Sequence, residues 1–286
     1  MFNAIEIKNR IKGIEETRKI TRAMQLISAA KLKRAMNLLE NNRKHFVMLR
    51  TVMKDILDFG GKISHSYFTL REGKRVAFLV IASDKGLAGE YNKRVLNMAY
   101  DEIIKHNERY IFTVGHVASN YFKKKGIFTD IEFLHIAQNP ILDDARELTY
   151  NILDLYDKNA LDEVYMAYTS MDTARRVNTE ILRLLPLKRE DFADVKSRAD
   201  LNVRLDFAPS PQDVLDITVP QYLIGLIYGA LVQSSAAEHY ERMVSMKKAL
   251  DNADEMLLNL RFSAQKARQE RITTQLIEVN RNQVYD

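Results

Sequence analysis

Apolar residues recur at helical spacing from the start of the chain. Between Ile5 and about Leu57 there is no proline, Gly13 is the only glycine, and Ile7, Ile11, Ile14, Leu32, Ala35 and Leu39 fall at separations built from 3 and 4 residues. The pattern predicts one uninterrupted helix of about 53 residues, roughly 80 Å long at 1.5 Å per residue. A helix of that length cannot stabilise itself in water by propensity alone and requires a long partner. The far end of the chain supplies one. Stepping alternately 3 and 4 residues from Tyr222 gives Gly225, Gly229, Val232, Ala236, His239, Met243, Met246, Leu250, Ala253, Leu257, Leu260, Ala264 and Ala267. Only His239 among these is neither apolar nor glycine, and a seven-residue period held this long predicts a left-handed coiled coil. Six of the positions are Gly or Ala, which lets the partner backbone approach closely.

Between the ends the period changes. Arg75–Ala82 reads as a strand, Tyr91–His106 as a helix, Arg109–Gly115 as a strand, Val117–Lys125 as a helix and Ile131–Leu134 as a short strand. Asp143–Lys158 then reads as a helix, and Glu163–Thr169 and Val177–Leu187 as strands, the last ending at Pro186. This alternation predicts an open α/β sheet. Ser210, Pro211 and Asp213 form an N-cap, a first-turn proline and an early acid for the terminal helix, in which Pro220 is a candidate kink. The chain thus divides into an N-terminal coiled-coil helix (1–58), an α/β domain (59–209) and a C-terminal coiled-coil helix (210–286).

Ile217–Ala237 contains no charged residue. Its strongly apolar part, Tyr222–Val232, would rise only about 16 Å as a helix against roughly 30 Å of hydrocarbon, so a buried helix is expected and not a membrane span. The first residues alternate charge and apolar side chains without the apolar core of a signal peptide, and no export signal is expected. Overall charge adds little, at +5 from 43 basic and 38 acidic residues, but 13 Lys+Arg against 6 Asp+Glu fall in residues 1–58. The basic excess is an N-terminal property.

Composition narrows the chemistry. With no cysteine there is no thiolate nucleophile, disulfide or cysteine-ligated metal, and the lack leans towards a reducing compartment. The one loop resembling a ligand cradle is SDKGLAGEYN, Ser83–Asn92, after the first strand, but it has neither GxGxxG nor GxxxxGK[ST] and reads as a tight turn. No two of the six histidines, His45, His65, His106, His116, His135 and His239, stand at i, i+3 or i, i+4, so no histidine metal site is expected. Asp143 and Asp144 read as favourable charge at a helix N-terminus. No serine has a GxSxG context. The basic residues Lys8 to Arg34 fit a solvated face, an acidic protein partner or nucleic acid, but the helix lacks a base-reading face and its long seam demands a protein partner. The register of the first helix passes through Arg18, Thr21, Gln25 and Ser28, four polar residues where a static zipper is apolar. Either this part faces water inside a larger cavity or it turns against a wall that does not grip it.

At this point the residues resemble one family, the γ subunit or central rotor shaft of the F-type ATP synthase. The resemblance is carried by ITRAMQLISAAKLKRA (Ile20–Ala35), SDKGLAGEYN (Ser83–Asn92), VNTEILRLLPL (Val177–Leu187), ERMVSMKKALDNADEM (Glu241–Met256) and QKARQERITTQLIEV (Gln265–Val279). It implies a long antiparallel coiled coil of the terminal helices with an inserted Rossmann-like α/β domain. It also implies a non-catalytic rotor, needing no cofactor, metal or nucleic acid, present in one copy within a ring of three α and three β subunits. The partners so implied are α, β, ε and the c-ring, with the membrane reached only through the c-ring at the cytoplasmic face of a bacterial plasma membrane. By position, Met24 and Lys31 match the surface that faces the moving β subunits, Arg268 and Gln269 match the KARQ contact to the β catch loops, and Leu205 and Phe207 match the loop resting on the c-ring. The family's usual acid in that loop is Ala208 here, its GLCGG is GLAGE with Ala88 at the cysteine, Gln275 replaces an acid, and NRNQVYD (Asn280–Asp286) replaces a small-residue terminus. Two other readings are a stand-alone α/β nucleotide-binding enzyme with coiled-coil arms, which would need its own phosphate motif, and a nucleic-acid-binding coiled coil, whose affinity would fall steeply with salt.

Overall fold

The computed structural model describes residues 4–61, 63–172, 174–196 and 205–283. Two long helices, α1 (Ala4–Phe59) and α5 (Pro211–Gln283), stand at either end of the element order. Between them come β1 (Val76–Ile81), α2 (Tyr91–Ile103), β2 (Arg109–Val114), α3 (His116–Lys124), β3 (Ile131–Phe133), α4 (Leu142–Asp157), β4 (Glu163–Met171) and β5 (Val177–Leu185). Two short 3-10 turns, Ser66–Phe68 and Arg189–Phe192, are too brief for any period to announce. The last strand stops at Leu185, short of the expected Leu187, because Pro186 has no N–H for the ladder. The start of α5 is built as expected, with the Asp213 N–H donating to the Ser210 hydroxyl at 3.2 Å. Pro220 lies inside α5, which continues through it. Asp144 likewise accepts the Ile141 N–H at 3.0 Å at the head of α4.

Packing groups the chain into two compact units, Met1–Ala29 with Arg242–Asp286, and Ala30–Glu241. The divisions fall inside both long helices. The segments 1–58, 59–209 and 210–286 sort the chain by element type, whereas packing groups it differently.

The larger unit is a three-layer α/β domain. Its sheet has the order β3-β2-β1-β4-β5, parallel except for β5, which runs antiparallel to β4. The central strand β1, VAFLVI, is buried throughout, as an unbroken apolar run in a parallel sheet must be. Its side chains alternate between two cores. Val76, Phe78 and Val80 pack with Val95, Ala99 and Ile103 of α2 and Phe122 of α3. Ala77, Leu79 and Ile81 pack with Leu148 and Ile152 of α4, Met53 and Ile56 of α1, and Leu223 and Ile227 of α5.

That second core settles the uncharged stretch of α5. Leu223, Ile224, Ile227, Ala230 and Leu231 are buried in that sheet-side core, and Val232 beside them is buried too. Its polar residues have partners there too, since the Thr169 N–H lies 3.3 Å from the Ser234 hydroxyl and the Met171 N–H donates to Gln233 at 3.4 Å. Within this unit α1 and α5 run antiparallel. Phe46 stacks on Tyr222 with ring centroids 5.6 Å apart. The glycines set the approach: a Cβ on Gly225 would stand 3.3 Å from Leu49 and Phe46, and one on Gly229 would stand 3.1 Å from Asn42.

Candidate interaction surfaces

Among the described residues, the smaller unit consists of two helical segments. Its α1 and α5 segments run antiparallel, with Glu15 paired to Arg261 at 2.7 Å and Arg18 to Asp254 at 2.6 Å. Both pairs are substantially exposed and contribute about 1 kcal/mol or less each. Register comes instead from the seam. From Lys247 to Ala267 the predicted positions Leu250, Ala253, Leu257, Leu260, Ala264 and Ala267 are buried or half-buried, and all others are exposed. The seven-residue period read from the sequence is the burial pattern observed.

Of the four polar register positions of α1, Arg18 pairs across to Asp254 and the other three find partners on their own helix. Ser28 is buried and its hydroxyl donates to the Met24 carbonyl at 2.8 Å. Thr21 donates to the Thr17 carbonyl at 2.9 Å, and Gln25 accepts from Arg22 at 3.1 Å. Short polar side chains that turn back on their own helix leave no protruding knob.

Outside the seam the unit presents apolar surface to solvent. Ile20, Leu26 and Ile27 are exposed on α1, and Leu258, Phe262 and Leu276 on α5, with Phe262 at 72% and Leu258 at 68%. From Arg268 to Ile277 every residue of α5 is exposed. A two- to three-turn helical segment exposed on every face is marginal in water, and exposed apolar groups of this size mark a surface that another chain covers.

The residues matched from sequence fall on this scaffold as follows. Arg268 and Gln269 are adjacent and exposed at the start of the exposed stretch 268–277 of α5. Met24 is half-buried. Lys31 is also half-buried, its ammonium donating to Gln138 at a long 3.4 Å within the larger unit. Phe207 is half-buried against the sheet-side core, and Leu205 is half-buried ahead of the exposed Asp206. The side chains of 280–286 lie outside the described residues. The Ser83–Asn92 loop is a tight turn, with Asn92 accepting the Ser83 N–H at 3.0 Å and the Ser83 hydroxyl 2.7 Å from the Lys85 carbonyl.

One grouping escapes any spacing rule. Asp84, His116 and His135 follow β1, β2 and β3 respectively, and the parallel sheet brings them together at one end. One carboxylate oxygen and one ring nitrogen from each histidine lie within 4.8 Å of one another. Asp84 Oδ1 accepts the backbone N–H groups of His116, at 3.3 Å, and His135, at 3.1 Å. A test of i, i+3 and i, i+4 separations finds ligands on one helix and is blind to ligands on neighbouring strand ends. The available signal was that each of the three residues stands one or two positions beyond a predicted strand.

The chain was also compared with known proteins. The family profile described as ATP synthase matches residues 3–281. A curated "ATP synthase gamma chain" from Caldanaerobacter subterraneus subsp. tengcongensis is 41% identical over 288 residues, covering 96% of this chain and 97% of that one. One from Ruminiclostridium cellulolyticum is 40% identical over 288 residues, covering 97% and 96%. Among solved structures, a chain of the Euglena gracilis mitochondrial ATP synthase OSCP/F1/c-ring assembly aligns with a TM-score of 0.70 at 15% identity, over 96% of this chain and 92% of that one. A chain of the Tetrahymena thermophila mitochondrial central stalk and c-ring aligns at 0.60 and 21% identity, over 80% and 99%. At those identities the structural likeness speaks for the fold.

Proposed function

Because this chain belongs to the ATP synthase γ-chain family, we propose that it is the central rotor shaft of an F-type ATP synthase. In this role it couples ion-driven rotation of a membrane c-ring to the conformational cycling of three catalytic β subunits. The observation that carries the reading is the two-helix unit. It has one narrow buried seam, outward-facing Leu258 and Phe262, and a stretch of α5, Arg268–Ile277, exposed on every face. Such a unit transmits force and supplies surface to other chains. An asymmetric rigid element inside a ring of identical sites holds each site in a different state, and turning it passes every site through all states.

Individual residues take roles that their chemistry fits. The Arg268 guanidinium offers a planar donor fork to acidic loops of β, and Gln269 beside it both donates and accepts. Met24 and Lys31 face the β subunits from α1. A 3.4 Å bond to Gln138 is weak, so Lys31 exchanges it for a carboxylate at little cost. In the c-ring loop, Phe207 anchors the segment on the domain core while Leu205 and its neighbours meet the ring. The ε subunit shares that end. The complex is peripheral to the membrane through its F1 part, and the cytoplasmic face of a bacterial plasma membrane is its expected side.

The test is reconstitution with the α and β subunits of the same organism, followed by Mg-ATP hydrolysis. We expect one copy per three αβ pairs, hydrolysis that depends on the chain, and no activity in the chain alone. Replacing Arg268 and Gln269 together by Ala should lower complex turnover about tenfold, equivalent to ~1.4 kcal/mol. The same change should leave unfolding of the isolated chain within about 0.5 kcal/mol, since both side chains are exposed. Truncation after Arg261 should allow assembly but weaken coupling. Failure to assemble, or ATP binding by the chain alone, would return the enzyme reading.

A further inference from the structure

We propose that Asp84, His116 and His135 form a binding site for a divalent transition-metal cation of the zinc type. The site does not rest on the rotor reading.

The three residues offer one carboxylate and two imidazoles at the ends of adjacent parallel strands, with candidate ligand atoms within 4.8 Å of one another. Around a tetrahedral zinc ion with bonds of about 2.0–2.2 Å, ligand atoms stand roughly 3.3–3.5 Å apart. The contraction required is therefore at most about 1.5 Å. His135 is exposed and its side chain is free to make most of that movement, while His116 is half-buried at the first turn of α3. The two rings already meet edge to face, with centroids 4.8 Å apart.

The independent observation is on Asp84. Its Oδ1 is spent on the backbone N–H groups of His116 and His135. Its Oδ2 is shut off from solvent and has no hydrogen-bond partner. A buried carboxylate oxygen without a partner carries a desolvation cost that a cation would offset. The division of labour within the carboxylate is the one expected at a metal site, where one oxygen is fixed by surrounding donors and the other is left for the ion. The same two bonds hold the backbones of both histidines at a common point.

The donor set selects the metal. Two imidazoles favour zinc, cobalt, nickel or copper over magnesium and calcium, which take all-oxygen shells. Three protein ligands leave a fourth position for water on the exposed side of His135. A bound ion would tie together the ends of β1, β2 and β3, and with them the Ser83–Asn92 turn.

The experiment uses the tag-free full-length chain, stripped with chelator and titrated with zinc sulfate, and separately with cobalt chloride to read the visible bands of tetrahedral Co(II). We expect one zinc per chain, tetrahedral cobalt bands, no displacement by excess magnesium, and a higher thermal midpoint with zinc. Asp84→Asn keeps the acceptor for the two backbone N–H groups but replaces the free oxygen, and should weaken zinc at least tenfold while circular dichroism stays unchanged. His135→Ala, at an exposed position, should do the same, and His45→Ala should have no effect. Absence of saturable zinc uptake by the unaltered chain, or unaltered affinity in either Asp84→Asn or His135→Ala, would overturn the site.

Discussion

Asp162 shows how much can rest on one carboxylate. Its side chain is 2% exposed and accepts three bonds from Arg75, from the backbone N–H at 3.0 Å and from Nε and Nη2 at 2.9 Å each. Those hydrogen bonds hold it below the usual aspartate range. A lowered folded value means that its stabilisation is complete above the unfolded value, about 3.9, and is lost as pH falls through the folded one. Asp162→Asn should therefore lower the urea midpoint at neutral pH and flatten its decline between about pH 5 and pH 2. Gly115 is constrained by backbone instead. Its φ is +91°, and a Cβ there would stand 2.6 Å from the Ala82 carbonyl oxygen and 2.7 Å from that of Ser83. Gly115→Ala should cost about 2–3 kcal/mol in equilibrium unfolding, the scale of a forced glycine-only conformation. Local residue roles were legible in the sequence and distant ones were not. The Ser210 cap could be read because its partner is three residues away, whereas Arg75 is separated from Asp162 by 87 positions.

At the level of elements, periodicity carried most of the information. The seam of α5 was readable because one narrow face is buried there and every other face is wet. Between Tyr222 and Val232 the same helix is buried on several faces, so its period is blurred, and only its length against a bilayer distinguished core from membrane. The glycines in that stretch set how near α1 comes. Gly225→Leu should cost about 1–3 kcal/mol, as overpacking does, because the new side chain must enter the space held by Phe46 and Leu49. Gly225→Ala should be near neutral, a helix-propensity gain of roughly 0.8–1.0 kcal/mol offsetting the tight contact. A pair of urea titrations separates the two outcomes. The Asp84, His116 and His135 cluster was illegible at this level because sheet order, not spacing, assembles it.

For the whole molecule, the two units differ in where their stability comes from. The larger has two cores on opposite faces of one sheet, while the smaller has a single seam. Amide exchange should reflect this. In the isolated chain, residues 268–277 should exchange at nearly unprotected rates while β1 is protected to the limit of global unfolding. On assembly with α and β subunits, 268–277 should slow by at least tenfold, and unchanged exchange there would count against an enclosing ring.

The ion pair between Glu15 and Arg261 joins residues 246 positions apart. During synthesis at about 5–20 residues per second, the start of α1 therefore waits on the order of 10–50 s before the partner segment of α5 exists. Through that interval the seam residues Ile7, Ile11 and Ile14 have no partner helix against them. The larger unit, Ala30–Glu241, is finished on the ribosome before the smaller can begin. The first-made residues of the chain are thus among the last to find their place, and the nascent helix is an aggregation hazard that chaperone binding would have to cover.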